Sequence, residues 1–290
     1  MTILSIVSQP SRLFVRGGFL ARFLKQPSTG FGVIVVAAFI IVALTAPWIA
    51  PYSPTASNWS AIRQPPSMAH WLGTDDLGRD ILSRMMHGAR ASLQAGVVSV
   101  LIAMLIGVPF GLLAGYFRGW VDAVVSRCTE ALLAIPFLIT AIALAAFLGP
   151  SLTNAMLAIG ISAAPLFCRL MRAQTISVMS EDYIDNARSV GVRDLRMMLR
   201  HVVPNAINPI VVQATLTIAT AIIAEASLSF LGLGQQPPNP SWGSMLDTAR
   251  AYLEQAPWMA IWPGMAIFIL VLAFNLMGDG LRDALDPRQR

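Results

Sequence analysis

The chain has 290 residues, of which 56% are hydrophobic and only 12% are charged. Soluble domains carry about 25% charged residues, so this composition excludes an ordinary soluble protein and indicates a polytopic membrane protein. The formal net charge of +5 comes from arginines spread among several loops. That spread is typical of membrane topology signals and argues against a nucleic-acid-binding surface. The two cysteines, Cys128 and Cys168, fall in or beside apolar segments and indicate no disulfide framework.

Six apolar segments are each long enough to cross a hydrocarbon core of about 30 Å. We therefore predict an all-α helical bundle with six transmembrane helices. The predicted spans cover about residues 31–50, 93–116, 130–148, 152–170, 210–231 and 258–277. Prolines 47, 51 and 54 are predicted to end the first span. The predicted organisation is an N-terminal tail (1–29), a first span with an outer loop (30–90), a core transmembrane domain (91–280) and a C-terminal tail (281–290).

Six spans place both termini on the same side of the membrane. With the N-terminus inside, most of the 20 lysines and arginines also fall inside, including those of both tails. The exceptions are Arg63, Arg79, Arg84, Arg90 and Arg250. The positive-inside rule therefore predicts that both termini are cytoplasmic.

A polar and basic stretch separates the fourth and fifth spans, and we call residues 177–207 the elbow. Its small and apolar residues follow helical spacing and predict one apolar face, made of Ile184, Ala187, Gly191, Leu195, Met198 and Val202. Gly191 is predicted to bend the helix and Pro204 to stop it. Such an amphipathic element either rests on lipid and its own bundle or docks into a groove of a soluble partner.

The outer loop contains the run HWLGTDDLGRDILSRMMHGARASL. Its acids and histidines (Asp75, Asp76, Asp80, His70 and His87) invite a metal-site interpretation, but their spacing fits no zinc or EF-hand pattern. The alternative is structural: glycines at 73 and 78 form turns, Asp80 starts a helix, and nearby arginines balance the acids. We predict no metal site and favour this structural interpretation.

Glu225 lies in the fifth predicted span, in the run AEASLSFLGLG. A carboxylate inside a membrane span is costly and is a functional-site hypothesis by default. It could face the transport pathway. It could also lie near the outer interface and bond to loop backbone or to a neighbouring subunit.

The elbow resembles the EAA loop of permease subunits of bacterial ABC importers. The triplet is Asp185-Asn186-Ala187, followed by Gly191 and an end at Val202-Val203-Pro204. Asp replaces Glu and Asn replaces the first Ala, which keeps the carboxylate and the small third residue. The outer loop resembles the GTDxxGRDxxSRxxxGxRxSL signature of the dipeptide and oligopeptide C-type permeases. The runs LSFLGLG and GDGLRDALDPR resemble the same family.

This resemblance implies the transmembrane fold of a type I ABC importer, in the inner membrane of a bacterium, and a permease that forms half of a pathway for di- or oligopeptides. The implied partners are a homologous second permease, two cytoplasmic P-loop ATPases and an extracytoplasmic solute-binding protein. ATP and magnesium would bind to the ATPases, with no cofactor bound by this chain. Asp185 would anchor the elbow to an ATPase, Ala187 would allow close approach and Gly191 would permit the bend. Asn186, Arg188, Arg193 and Pro204 complete the implied coupling site.

Several alternatives stay open. Glutathione, nickel complexes or other small peptides use similar permeases. A secondary transporter would show paired broken helices or charges near the midplane, and we find no convincing internal repeat. A membrane enzyme would need clustered catalytic groups, yet His70, His87 and His201 are dispersed. The chain has no G-x-x-x-x-G-K-[ST] phosphate loop, so we predict that it does not hydrolyse ATP itself.

Overall fold

The computed structural model describes Phe23 and residues 26–285. Most of the described residues are helical, and they contain no strand beyond an isolated bridge between Thr74 and Asp80. The predictions made for most of the N-terminal tail, and for residues 286–290, lie outside the described residues. The division of the chain into domains stays a prediction.

Ten α-helices can be followed along the described chain, with a 3-10 turn at Trp59–Ala61 and a π-helical segment at Met198–Val202. In chain order they are α1 Pro27–Ile49, α2 Ile81–Phe117, α3 Gly119–Leu133, α4 Phe137–Leu148, α5 Leu152–Val178, α6 Asp182–Ser189, α7 Asp194–Met197, α8 Val203–Phe230, α9 Trp242–Arg250 and α10 Trp258–Leu285. Five of the described helices are long and apolar enough to span a membrane, or six if the bent pair α3–α4 counts as one span. The predicted six-span bundle fits this count.

The second membrane helix begins earlier than the sequence indicated. It starts at Ile81, inside the predicted outer loop, and runs to Phe117. The cause is a cap: the Asp80 side chain accepts a hydrogen bond of 2.8 Å from the Ser83 backbone N–H, which satisfies a donor that helix geometry leaves free. The predicted helix start at Asp80 is confirmed, and the helix extends beyond the predicted span, which begins near residue 93.

The third predicted span is not one straight helix, so the prediction of a continuous helix over 130–148 is wrong. Helices α3 and α4 meet at an angle of 91°. The break covers residues 134–136 and ends at Pro136. Proline has no backbone N–H to donate, and it disfavours helical geometry in the residue before it. The chain therefore turns sharply within an apolar segment.

Two prolines that were predicted to end helices lie inside them instead. Pro47 lies within α1. Pro204 lies near the start of α8, directly after the π-helical segment Met198–Val202. The π-helical segment before it keeps the helix continuous from Asp194 to Phe230. The prediction that Pro204 stops the elbow is therefore wrong, because elbow and fifth span form one rod.

Close approach of α2 and α5 forms the centre of the bundle. Gly107, Gly111 and Gly115 recur every four residues on one face of α2. A Cβ on Gly115 would lie 2.7 Å from the Thr175 Cβ, and one on Gly111 would meet the Cys168 carbonyl oxygen at still closer range. Small residues at this spacing let two membrane helices pack backbone to backbone.

The described helices share two apolar cores. One joins α2, α4, α5, the elbow and α8, and the other joins α1, α2, α8, α9 and α10. Trp242 of α9 is fully buried in the second core and donates its indole N–H to the Met85 carbonyl at 3.1 Å. Helices α2 and α8 contribute to both cores, so movement of either one reaches the whole bundle.

Candidate coupling site and buried polar clusters

The elbow consists of α6, a sharp turn and the rod that begins with α7. The turn is made by Gly191, whose φ is +77°. Its N–H donates to the Arg188 carbonyl at 2.9 Å, and the Val192 N–H donates to the Ala187 carbonyl at 3.2 Å. A residue with a Cβ loses roughly 1–2 kcal/mol in this left-handed conformation. The predicted bend at Gly191 is confirmed.

The elbow is anchored to the bundle through part of its predicted apolar face. Ile184 and Val202 are fully buried and Met198 nearly so, whereas Leu195 is 65% exposed. Met197 is buried instead of Leu195. The reason is the turn at Gly191, because it resets the helical register between α6 and α7. The prediction of a single continuous apolar face is therefore wrong at Leu195.

The outward side of the elbow combines apolar and charged residues. Val190, Leu195 and Leu199 are all more than half exposed. On α6, Asp185 and Arg188 form a loose ion pair at 3.6 Å with both side chains largely in solvent. Of the predicted coupling residues, Ala187 is half-buried, and the exposed ones are Asp185, Asn186, Arg188, Gly191, Arg193 and Pro204. Most of the predicted coupling residues are thus accessible to solvent.

A hydrogen bond that sequence reasoning missed links this surface to the bundle. The Tyr116 hydroxyl, in the last turn of α2, donates to the Asp194 carboxylate at 2.6 Å. The two residues are far apart in sequence, so no local motif could have revealed the contact. Nearby on α6, partial burial and then the charge of Glu181 raise the pKa of Tyr183. The Tyr183 phenol is therefore neutral at physiological pH.

Glu225 lies inside the subunit and has no exposed surface. Its carboxylate accepts a hydrogen bond from Ser229 at 2.6 Å and another from Ser92 at 3.1 Å. Ser241 in turn donates to the Ser229 hydroxyl at 3.3 Å. These serines belong to α8, α2 and the start of α9. In this structure the Glu225 carboxylate is therefore satisfied by side chains of its own subunit, and its role in a pathway or an interface stays a prediction.

The acids of the outer loop are paired with basic groups and do not converge on a common point. Asp75 accepts from Arg79 at 2.6 Å and lies 3.3 Å from the Arg84 guanidinium. Asp80 pairs with His70 at 2.9 Å. Among residues 26–285 no group of three or more histidine, cysteine or acidic side chains has the arrangement of a metal site. The geometry supports the structural interpretation of this loop.

Family comparison places this architecture in a known class. Residues 107–290 match the model of the family described as the inner membrane component of binding-protein-dependent transport systems. Residues 17–66 match the N-terminal transmembrane domain of oligopeptide transport permease C. The chain belongs to the binding-protein-dependent permease family. More particularly, it is an integral membrane permease subunit of an ABC importer and not its catalytic subunit, because partner ATPases hydrolyse the ATP.

Two curated relatives cover nearly the whole chain. The dipeptide transport system permease protein DppC of Alkalihalophilus pseudofirmus is 46% identical over 259 residues, which is 89% of this chain and 85% of the relative. The glutathione transport system permease protein GsiD of Pectobacterium atrosepticum is 46% identical over 271 residues, or 93% of this chain and 90% of the relative. One relative is named for dipeptide transport and the other for glutathione transport.

Solved structures agree on the fold. An inward-facing form of the MetNI methionine ABC transporter superposes with a TM-score of 0.60 at 20% identity, covering 71% of this chain and 98% of the solved chain. An amino acid ABC transporter crystallised with histidines gives a TM-score of 0.51 at 18% identity, covering 68% and 90%. At such low sequence identity these structures show a shared fold only, and that fold is the one of type I importer permeases.

Proposed function

We propose that this chain carries peptide-like solutes, forming half of a pathway together with a homologous second permease. The support is its high similarity to permeases named for dipeptides and for glutathione. Both are small peptides, so they favour peptide cargo over nickel complexes. Membership of the permease family also removes the two remaining alternatives, a self-contained secondary transporter and a membrane enzyme.

The observation that carries the coupling role is the exposed elbow surface. Leu195 and Leu199 present apolar area to solvent beside the exposed Asp185 and Arg188. An amphipathic helix of this kind fits a groove in a soluble partner, with its charges fixing the register. We assign the partner as a cytoplasmic ATPase. Asp185, Asn186, Arg188 and Arg193 would make the polar contacts, and Ala187 would allow close approach.

The assembly follows from that assignment. Two P-loop ATPases bind ATP and magnesium and dock on the two permeases, and an extracytoplasmic binding protein delivers the cargo. Lipid covers the outer surface of the helices. The elbow and both termini face the cytoplasm, as the distribution of basic residues predicts. The family description supports a bacterial inner membrane as the location.

The mechanism uses the rod that begins at the elbow. Since α7, the π-helical segment and α8 are continuous, a displacement of the elbow passes directly into the fifth span. Gly191 separates α6 from that rod, and Pro204 lies inside the rod without interrupting it. ATP-driven closure of the ATPases would tilt the rod and open the pathway to the binding protein. Hydrolysis would reset it.

Two matched variants test the docking role. Asp185 pairs with Arg188, and Asp247 pairs with Arg250 at the opposite end of the bundle, each at i,i+3 spacing. Asp185→Lys places a like charge beside Arg188 on the docking surface, so we expect loss of most of the ATPase that co-purifies with the permease. Asp247→Lys should retain it. Equal ATPase recovery from both variants would contradict the docking role.

A further inference from the structure

A cavity of about 400 Å³ opens between α3 and α5, where α3 ends. Its volume lies in the range of small-molecule sites, about 300–1,000 Å³. The polar side chains that line it are Ser126, Thr129, Glu130, Arg169 and Arg172. Glu130 and Arg169 are exposed, so a solute that enters the cavity can reach their charged groups.

The charges of the cavity do not cancel. Arg172 is neutralised by Asp122, which it binds through two nitrogens, with one N–O distance of 2.6 Å. Glu130 lies 3.4 Å from Arg127, and both side chains are largely exposed. Arg169 is exposed and has no ion pair or hydrogen bond to any of the residues that the structure describes. The cavity therefore offers one uncompensated guanidinium.

The cavity also lies where the membrane helix is broken. Ala134, at the start of the 91° bend between α3 and α4, is part of its wall. Irregular backbone within a membrane is tolerated where it lines a protein cavity. In transporters, solutes commonly bind where spanning helices are discontinuous. The bend is thus a second observation that points to a solute, independent of the charges.

An apolar compartment adjoins the polar one. A second cavity of about 370 Å³ lies between α2, α3 and α5 and is lined by Phe110, Ile161 and other apolar side chains. Thr129 and Cys168 line both cavities and contact each other at 3.5 Å. A solute with a charged end and an apolar side chain could occupy the two compartments together.

We propose that these two compartments form a transient binding site for the carboxylate end of the peptide-like cargo. Arg169 donates charge-assisted hydrogen bonds to the carboxylate. Glu130 accepts from the ammonium group of the same zwitterion, and the apolar compartment takes a side chain. This assignment rests on the proposed function, because it takes its ligand class from there. A phosphate headgroup is the less suitable anion, since Glu130 would repel it while it attracts an ammonium group.

The test begins with uptake of dialanine and of glutathione by cells that contain the complete importer and no other peptide importer. The peptide that is taken up is then radiolabelled and titrated against the purified importer without its binding protein. We expect Arg169→Ala to weaken binding at least tenfold and Arg169→Lys to weaken it less. Arg282→Ala, which removes an exposed arginine of α10 outside the cavity, should bind as the unaltered importer does.

A second titration needs no variant and therefore does not depend on variant folding. The C-terminal amide of the transported peptide lacks the carboxylate, so it should bind the unaltered importer at least tenfold more weakly than the free acid. Equal binding of acid and amide would overturn the inference, as would equal binding by the Arg169→Ala importer.

The remaining outcomes separate the possible failures. Uptake of neither peptide would overturn the proposed cargo. Arg169-dependent binding of spin-labelled phosphatidylglycerol, undisplaced by the peptide, would assign the cavity to lipid and overturn the inference alone. Peptide uptake together with loss of binding in Arg169→Ala would support both proposals.

Discussion

Glu225 shows how a costly residue is accommodated at the scale of single side chains. A buried carboxylate needs hydrogen-bond donors, because an unpaired polar group in an apolar environment loses its interactions with water. Ser92, Ser229 and, through Ser229, Ser241 provide them from three helices. The cluster therefore joins α2, α8 and α9 at a point where apolar packing alone would leave their relative positions less defined.

Replacement of Glu225 should destabilise the permease. In Glu225→Ala the Ser92 and Ser229 hydroxyls lose their acceptor, and each buried unsatisfied group costs about 1–3 kcal/mol. We expect a clearly lower unfolding midpoint for the purified permease, followed by scanning fluorimetry. Ser227→Ala is the matched control, because Ser227 is half-buried and its hydroxyl bonds only to its own helix backbone. Similar midpoints for both variants would contradict a structural role of the cluster.

At the scale of helices, the glycine face of α2 fixes the distance to α5. A Cβ at Gly111 would meet backbone of α5, which cannot move aside as the end of a flexible side chain can. By contrast, Gly264 of α10 has no atom within 4 Å of such a Cβ. The same substitution should therefore have opposite effects at the two positions.

Gly111→Ala should force α2 and α5 apart, at a cost of about 1–3 kcal/mol for an overpacked contact. Gly264→Ala should be neutral or stabilising by up to about 1 kcal/mol, because alanine is the better helix former. Thermal unfolding of the two purified variants, measured in the same detergent, checks the sign of each shift. A Gly111→Ala midpoint at or above that of Gly264→Ala would contradict this packing.

The hydrogen bond between Tyr116 and Asp194 is the second element-scale feature that we expect to affect transport. Tyr116→Phe removes the bond and leaves the ring, so assembly should persist while elbow movement passes less completely into α2. We expect at least twofold more ATP consumed per solute imported, measured in proteoliposomes. The control is Tyr183→Phe on α6, because the Tyr183 hydroxyl has no hydrogen bond to any residue that the structure describes. An unchanged ratio in Tyr116→Phe would contradict the coupling role.

At the scale of the whole molecule, the orientation of the bundle decides which surface meets which partner. Ser57 in the outer loop and Ser180 in the elbow are both exposed and lie at opposite ends of the predicted topology. In a chain without Cys128 and Cys168, we expect a membrane-impermeant maleimide to label Ser57→Cys in spheroplasts and Ser180→Cys only after permeabilisation. Labelling of Ser180→Cys in intact spheroplasts would contradict the proposed cytoplasmic elbow.

Much of this architecture could be predicted from the sequence, because long apolar runs and the bend at Gly191 leave strong local signals. The errors have physical causes. Pro136 breaks a helix whose hydropathy is uninterrupted. Pro204 follows a π-helical segment, and the helix continues through it. Leu195 is exposed and not buried as predicted, because the turn at Gly191 changes the helical register between α6 and α7. The bond from Tyr116 to Asp194 could not be foreseen, since only the fold brings distant residues together.

The continuous rod from Asp194 to Phe230 has a geometric consequence. The serine cluster holds it at Glu225, and the elbow occupies the other end, roughly 45 Å away at a rise of 1.5 Å per residue. If the pinned end acts as a pivot, a tilt of about 10° displaces the elbow by roughly 8 Å and residues one turn from Glu225 by only about 1 Å. A large displacement of the elbow by the ATPases therefore produces only a small displacement of the helix near the opposite face of the membrane.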